Sequence, residues 1–173
     1  MTEKQEKILH AALQLFAKEG YHATSTSKVA KQAGVSEGLI FRHFGNKEGL
    51  LEAILEYGAA KFKELIVNIV MEPDPKDVIR KTIKLPANIK HSDFDFWKLQ
   101  FKLKWELEVN SEKKMEPLHM ALTNAFKKLN YNSPELEASL ILLYNDGLAS
   151  SMLKGSSIDV NKMVELLLDK YEL

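Results

Sequence analysis

The chain has 173 residues, enough for one or two domains and for a sizeable core. Its 24 basic residues are balanced by 24 acidic ones, so net charge does not point to nucleic acid; the first fifty residues hold only a small local excess, seven Lys/Arg against five Glu. Cysteine is absent, which excludes a disulfide framework and thiolate metal sites. The polar start, Met-Thr-Glu-Lys-Gln-Glu-Lys, does not read as a secretory leader, and no apolar run approaches the ~18 residues of a membrane span. The expectation is a cytoplasmic protein without a membrane partner.

The first predicted helix runs from about Lys4 to Lys18, with Ile8, Leu9, Ala12, Leu13 and Phe16 on one face and Gly20 as its stop. Thr26 to His43 then scans as two short helices around a tight turn. Val29, Ala33 and Ile40 are apolar where two crossing helices share a small core, and Ala30 is small where they pass closely. Gly34 suits a turn with positive φ, Val35 plugs that turn, and Ser25 and Ser36 are good N-caps. Phe44 closes the second helix, and Gly45-Asn46-Lys47-Glu48-Gly49-Leu50-Leu51 opens another with Asn46 as cap. This spacing is that of a helix-turn-helix, whose second helix enters the major groove of duplex DNA while the first crosses the backbone. The alternative is an ordinary helical hairpin with a glycine turn.

The combination of Phe16, Gly20-Tyr21, Ala23-Thr24-Ser25, Val29-Ala30, Ala33-Gly34-Val35-Ser36, Gly38, Phe41, His43-Phe44, Lys47 and Leu50-Leu51 resembles the N-terminal domain of the TetR family of transcriptional regulators. Beyond it the likeness lies only in length and helical pattern. The resemblance implies an all-α protein of about nine helices: a three-helix DNA-binding head, residues 1–46, joined by a long helix to a helical regulatory and dimerisation body, residues 47–173.

A long amphipathic helix from about Lys47 to Val70 crosses that boundary, roughly 36 Å at 1.5 Å per residue, and Pro73 and Pro75 end it. A shorter helix, about Asp77 to Leu85, stops near Pro86. From Leu99 to Val109 apolar and polar residues alternate with a strand's period of two. The segment from Phe94 is nonetheless expected to be helical. Ser92, Asp93 and Asp95 make a helix start, and no second strand is available for pairing. Wound as a helix it has two apolar stripes, Phe94, Trp97, Phe101 and Trp105 on one side and Phe96, Leu99, Leu103 and Leu107 on the other. Further helices are expected over Glu112 to Leu129, Pro134 to Lys154 and Asp159 to Tyr171, the second of them apolar nearly all round.

Within the helix-turn-helix, Glu37, Gly38 and Leu39 are the base-facing candidates: Glu37 to accept from a cytosine amino group, Leu39 to pack on a thymine methyl, Gly38 to admit a close backbone. Thr26 and Ser27 offer hydroxyls and amides to a phosphate at a helix N-terminus. Arg42, His43 and Lys47 are phosphate or groove-edge candidates. The resemblance implies such roles for all of these and for Phe41, and the caps Ser25 and Ser36 complete the set. Phe41 departs from the family, which commonly has tyrosine there, so a phenol that would donate to a phosphate is missing.

The last two helices carry more apolar surface than one neighbour covers, which points to a homodimer. The resemblance implies a four-helix interface, with Leu136, Leu140, Leu143, Tyr144, Gly147, Leu148, Val164, Leu167 and Leu168 as candidates; the alternative is internal core. A dimer matches a palindromic operator. The resemblance also implies a repressor released by a small-molecule effector. Phe62, Trp97, Phe101, Trp105 and Phe126 are candidate pocket walls, or simply core. Lys98, Lys102 and Lys104 are either a steering set for an anion or solvated flanks. His91, Asp93, Asp95 and His119 match no metal-ligand spacing, so no metal and no cofactor is expected. An enzyme is the less favoured class, because there is no Gly-rich phosphate loop, triad or zinc motif. A DNA-binding adaptor switched by a protein partner, with no cavity, stays open beside the ligand-released repressor.

Overall fold

The computed structural model describes residues 2–106 and 112–173, the side chains of 104–106 and 112–113 excepted. The described residues form nine α-helices and no strand: α1 (Glu3–Glu19), α2 (Thr26–Ala33), α3 (Glu37–Phe44), α4 (Lys47–Val70), α5 (Pro75–Ile83), α6 (Phe94–Glu106), α7 (Glu112–Lys128), α8 (Pro134–Leu153) and α9 (Val160–Lys170). Among them, no helix is long and apolar enough to cross a membrane. Packing divides the chain into two compact units, one within Met1–Lys61 and Ser92–Glu108, the other within Phe62–His91 and Val109–Leu173. The expected head lies wholly in the first, which also takes in the start of α4 and α6.

In the first unit α1 lays Ile8, Leu9, Ala12, Leu15 and Phe16 into a core completed by Tyr21, Val29, Ala30, Ile40, Leu50, Leu51 and Ile54. Thr2 caps α1 through a capping box with Gln5. α6 packs on α1 and buries Phe96, Leu99 and Leu103 in the same core. Those three belong to one of the two stripes that helical winding predicts; the strand-like alternation has no neighbouring strand to satisfy its backbone. The Gln100 amide donates to the Ile54 carbonyl of α4 at 3.4 Å, and the Lys61 ammonium sits 5.2 Å over the Phe96 ring and 3.6 Å from Asp93.

Two features between α4 and α6 differ from the sequence reading. Pro75 does not merely end α4; it is an N-terminal residue of α5, where its missing N–H costs nothing, and Asp74 caps that helix by accepting from Lys76 and Asp77 N–H at 2.8 and 3.2 Å. Two single 3-10 turns, Pro86–Asn88 and His91–Asp93, then precede α6.

The second unit is built on the antiparallel α7–α8 hairpin. Ile66, Ile69, Val78, Ile79, Ile83, Leu118, Leu122, Phe126, Ala138, Ile141, Leu148 and Val164 form its core. The rings of Tyr131 and Tyr171 pack on Phe126 at 4.9 and 5.6 Å, and the Tyr171 hydroxyl donates to Glu137 at 2.7 Å. Burial, reinforced by the Glu137 carboxylate, holds the Tyr171 phenol well above its ordinary range. Asn145 donates to the Thr82 carbonyl at 2.8 Å, tying α8 to α5.

Gly49, in the first turn of α4, is required by packing. A Cβ there would overlap the Phe44 carbonyl oxygen, whereas at Gly38 an added Cβ meets nothing within 4 Å. Gly49→Ala is therefore expected to destabilise the protein by more than 1 kcal/mol, while Gly38→Ala should stabilise it by up to about 1 kcal/mol through helix propensity. Denaturant unfolding of both variants checks the contrast.

Candidate nucleic-acid interface

The helix-turn-helix geometry starts from its caps. The Ser25 hydroxyl accepts from the Lys28 N–H at 3.2 Å and opens α2. Gly34 ends that helix at φ 67, ψ 35, and the Val35 N–H returns to the Ala30 carbonyl at 3.0 Å, the six-to-one bond of a left-handed helix stop. Val29 and Ile40 are fully buried between α1, α2 and α3. Ser36 stands at the N-cap position of α3 with extended backbone, but its side chain makes no capping bond. The serine expected to cap this helix thus does so in backbone geometry alone.

With Ile40 turned inward, Gly38, Phe41 and Arg42 are exposed, as are Ser25, Ser27 and Ser36. Thr26, Glu37, Leu39, His43 and Lys47 are half-buried. Leu39 packs against the head's core, so only part of it is available to a base. The Thr26 hydroxyl donates to the Glu37 carboxylate at 2.6 Å, joining the first residues of α2 and α3. The Lys47 ammonium lies 4.5 Å over the Tyr21 ring and donates to the His22 carbonyl at 3.3 Å. Tyr21 is in turn held by Glu48, to which its hydroxyl donates at 3.4 Å; burial first, then that carboxylate, raises its phenol. Lys28 pairs with Glu19 at 2.5 Å.

All eleven candidate residues thus lie in one unit, around α3 and the start of α2. Tyr21 was missing from the sequence-derived site, although it stands in the motif beside Gly20 and shapes where the Lys47 charge sits. The body's candidates divide differently. Phe126 and Phe62 belong to the second core and Trp97 to the first; Phe101 is half-buried, and the Trp105 side chain lies outside the described residues. Among the described residues no group of three or more His, Asp or Glu is gathered as metal ligands would be.

A glycine-turned pair of short helices, with the second helix displayed by a buried isoleucine, defines the helix-turn-helix class. Residues 8–54 match the family described as bacterial regulatory proteins, tetR family. The HTH-type transcriptional regulator YuxN of Bacillus subtilis is 37% identical over 97 residues, 54% of this chain and 33% of that protein. The fatty acid metabolism regulator protein of the same organism is 39% identical over 95 residues, 53% of this chain and 46% of that one. The matched stretches thus cover less than half the length of either relative. A transcriptional regulator from Saccharomonospora viridis, solved in complex with choline, superposes with a TM-score of 0.80 over 99% of this chain and 97% of its own, at 20% identity. The fatty acid degradation regulator FadR from Bacillus halodurans superposes at 0.74 over 95% and 92%, at 21% identity. At such identities the likeness establishes the fold.

The two caps are not equivalent in energy. Ser25→Ala, which removes a hydrogen bond, should cost about 1 kcal/mol, and Ser36→Ala only a few tenths. Thermal unfolding of the two variants side by side measures this, and equal losses would contradict it.

Proposed function

We propose that this chain is a sequence-specific DNA-binding transcriptional regulator, acting as a repressor that binds a palindromic operator as a homodimer and is released by a small-molecule effector. One observation carries the DNA part. Ile40 is buried while Gly38, Phe41 and Arg42 of the same eight-residue helix are exposed, the presentation a recognition helix needs. Gly38 has open space where a side chain would stand, so a nucleic-acid backbone or base edge meets no obstacle there. Ser27, Arg42, His43 and Lys47 supply phosphate contacts, with Ser25 and Ser36 beside the amides of the two helix starts. Phe41 contributes ring packing without a donor.

Selection of bound fragments from sheared genomic DNA at two salt concentrations tests this reading. It should enrich a palindrome that survives the higher salt; binding that vanishes with salt would reduce the site to a weakly basic surface. Lys47→Ala should weaken every site alike and lower the slope of log K against log salt by about 0.9. A change in base preference instead would place Lys47 at a base edge.

The dimer rests on α8. Leu136, Leu140 and Leu143 are 71, 54 and 70% exposed and, with exposed Gly147, recur at helical spacing along one face. A Cβ at Gly147 would meet nothing within 4 Å, so a second helix can approach closely there. Leu148 and Val164, by contrast, are 5 and 6% exposed in the core of their own unit, and Tyr144, Leu167 and Leu168 are partly buried against it. Met163 and Leu166 are the exposed apolar residues of α9, in their place. Leu143→Glu should therefore give a monomer in sedimentation analysis with its helical content intact, and should lose affinity for the full palindrome far more than for a half-site. A dimer that survives the charge would put the interface elsewhere.

The effector is supported by likeness alone: a neighbour of the same fold was solved with choline, and relatives are named for fatty acid metabolism. α4 contributes residues to both units and is the covalent route by which a ligand held in the body would alter the head. A metabolite panel read by thermal shift and by operator affinity tests this part. A panel with no effect on either would favour an adaptor switched by a protein partner.

A further inference from the structure

The hydrogen bond from Thr26 to Glu37 changes what each residue can do at DNA. A hydroxyl has one proton. Thr26 donates it to the Glu37 carboxylate at 2.6 Å, a charge-assisted distance, so the same hydroxyl cannot donate to a phosphate oxygen while that bond stands. Ser27, exposed on the next position of α2, has no such commitment in the described structure and is the hydroxyl free to meet a phosphate.

Glu37 is the first residue of α3, at the end of the recognition helix that faces base edges, next to the open surface of Gly38. Among the described residues no cation is paired with it. One carboxylate oxygen is held by Thr26; the other keeps its lone pairs. A carboxylate only accepts, so in the major groove it is favoured by an amino donor and opposed by guanine O6 and N7 and by thymine O4. Adenine places its N7 acceptor beside the N6 amino group, while cytosine shows the N4 amino group alone. Held by its neighbour, Glu37 does not have to give up side-chain freedom when the base arrives.

We propose that Glu37 is the specificity-determining residue for a cytosine at one position of each half-site, and that Thr26 is a positioning residue that holds it, not a phosphate donor. This rests on the DNA-binding reading above.

The test is selection from a pool of randomised half-sites with the wild-type protein, Glu37→Gln, Thr26→Val and Thr26→Ser, followed by salt titration on the best sequence. Valine keeps the branched shape of threonine, and the Ser25 cap of α2 is untouched. Cytosine should be preferred by about tenfold at one position in the wild type. Glu37→Gln, whose amide also donates, should admit guanine or thymine there. Thr26→Val should relax that same position with an unchanged salt slope, and Thr26→Ser should restore it. Three results would overturn the proposal. In the first, Thr26→Val weakens all sequences alike and leaves the preference at that position intact, as loss of a neutral phosphate contact would. In the second, the selected position is adenine, or no position responds to Glu37→Gln while others stay selective. In the third, the wild type enriches no sequence at all, which removes the DNA-binding reading itself and this inference with it.

Discussion

An eight-residue helix does not hold itself in water; its nucleation cost exceeds what so few backbone bonds return. α3 persists because Ile40 is buried in the core that also holds Val29, Phe16 and Ile8, a contribution of about 1.5–3 kcal/mol for one such side chain. The same contact sets the helix's rotation about its own axis. At 3.6 residues per turn, Gly38 and Arg42 lie about 160° from Ile40, nearly opposite it. What the head displays outward therefore follows from what it buries inward. Everything that α3 can do at a surface depends on this one apolar anchor.

Around that anchor the polar groups of the head are placed by neighbours distant in sequence. Glu19 draws Lys28, the Tyr21 ring and the His22 carbonyl locate Lys47, and Thr26 holds Glu37. Exposed ion pairs of this kind add little to stability. Their effect is on geometry: long side chains that would otherwise sample many rotamers are held near the two ends of the helix-turn-helix. A chain with balanced charges can in this way present donors and acceptors at fixed places without a large positive charge.

In the second unit the corresponding constraint is aromatic. Phe126, Tyr131 and Tyr171 close around one another, and the Tyr171–Glu137 bond fastens the end of α9 to α8. With α9 held there and Asn145 tied to α5, the face of α8 that carries Ile141 and Leu148 is committed to the core. The leucines at 136, 140 and 143 are left on the other side. Three such side chains in a row are more apolar surface than a lone solvated helix ordinarily shows.

How much of this was legible beforehand varied with the strength of the local signal. Caps, turn residues and apolar spacing located the helices, the extent of α4, the Gly34 turn and the inward place of Ile40, because each depends on a few residues close together in the chain. The period-two pattern at Leu99–Leu103 misleads only until strand pairing is required. Other features depended on the tertiary arrangement. Helix α8 is apolar nearly all round, so its pattern has no phase, and only packing decided that Ile141 and Leu148 go inward while Leu136, Leu140 and Leu143 stay out. The close approach of Gly49 to the Phe44 carbonyl and the bond between Thr26 and Glu37 arise where two helix ends are brought together by a turn. The sequence by itself determined which segments are helices and which face of the head is buried; the tertiary structure alone decided which polar side chains meet, since those contacts join residues that no local periodicity relates.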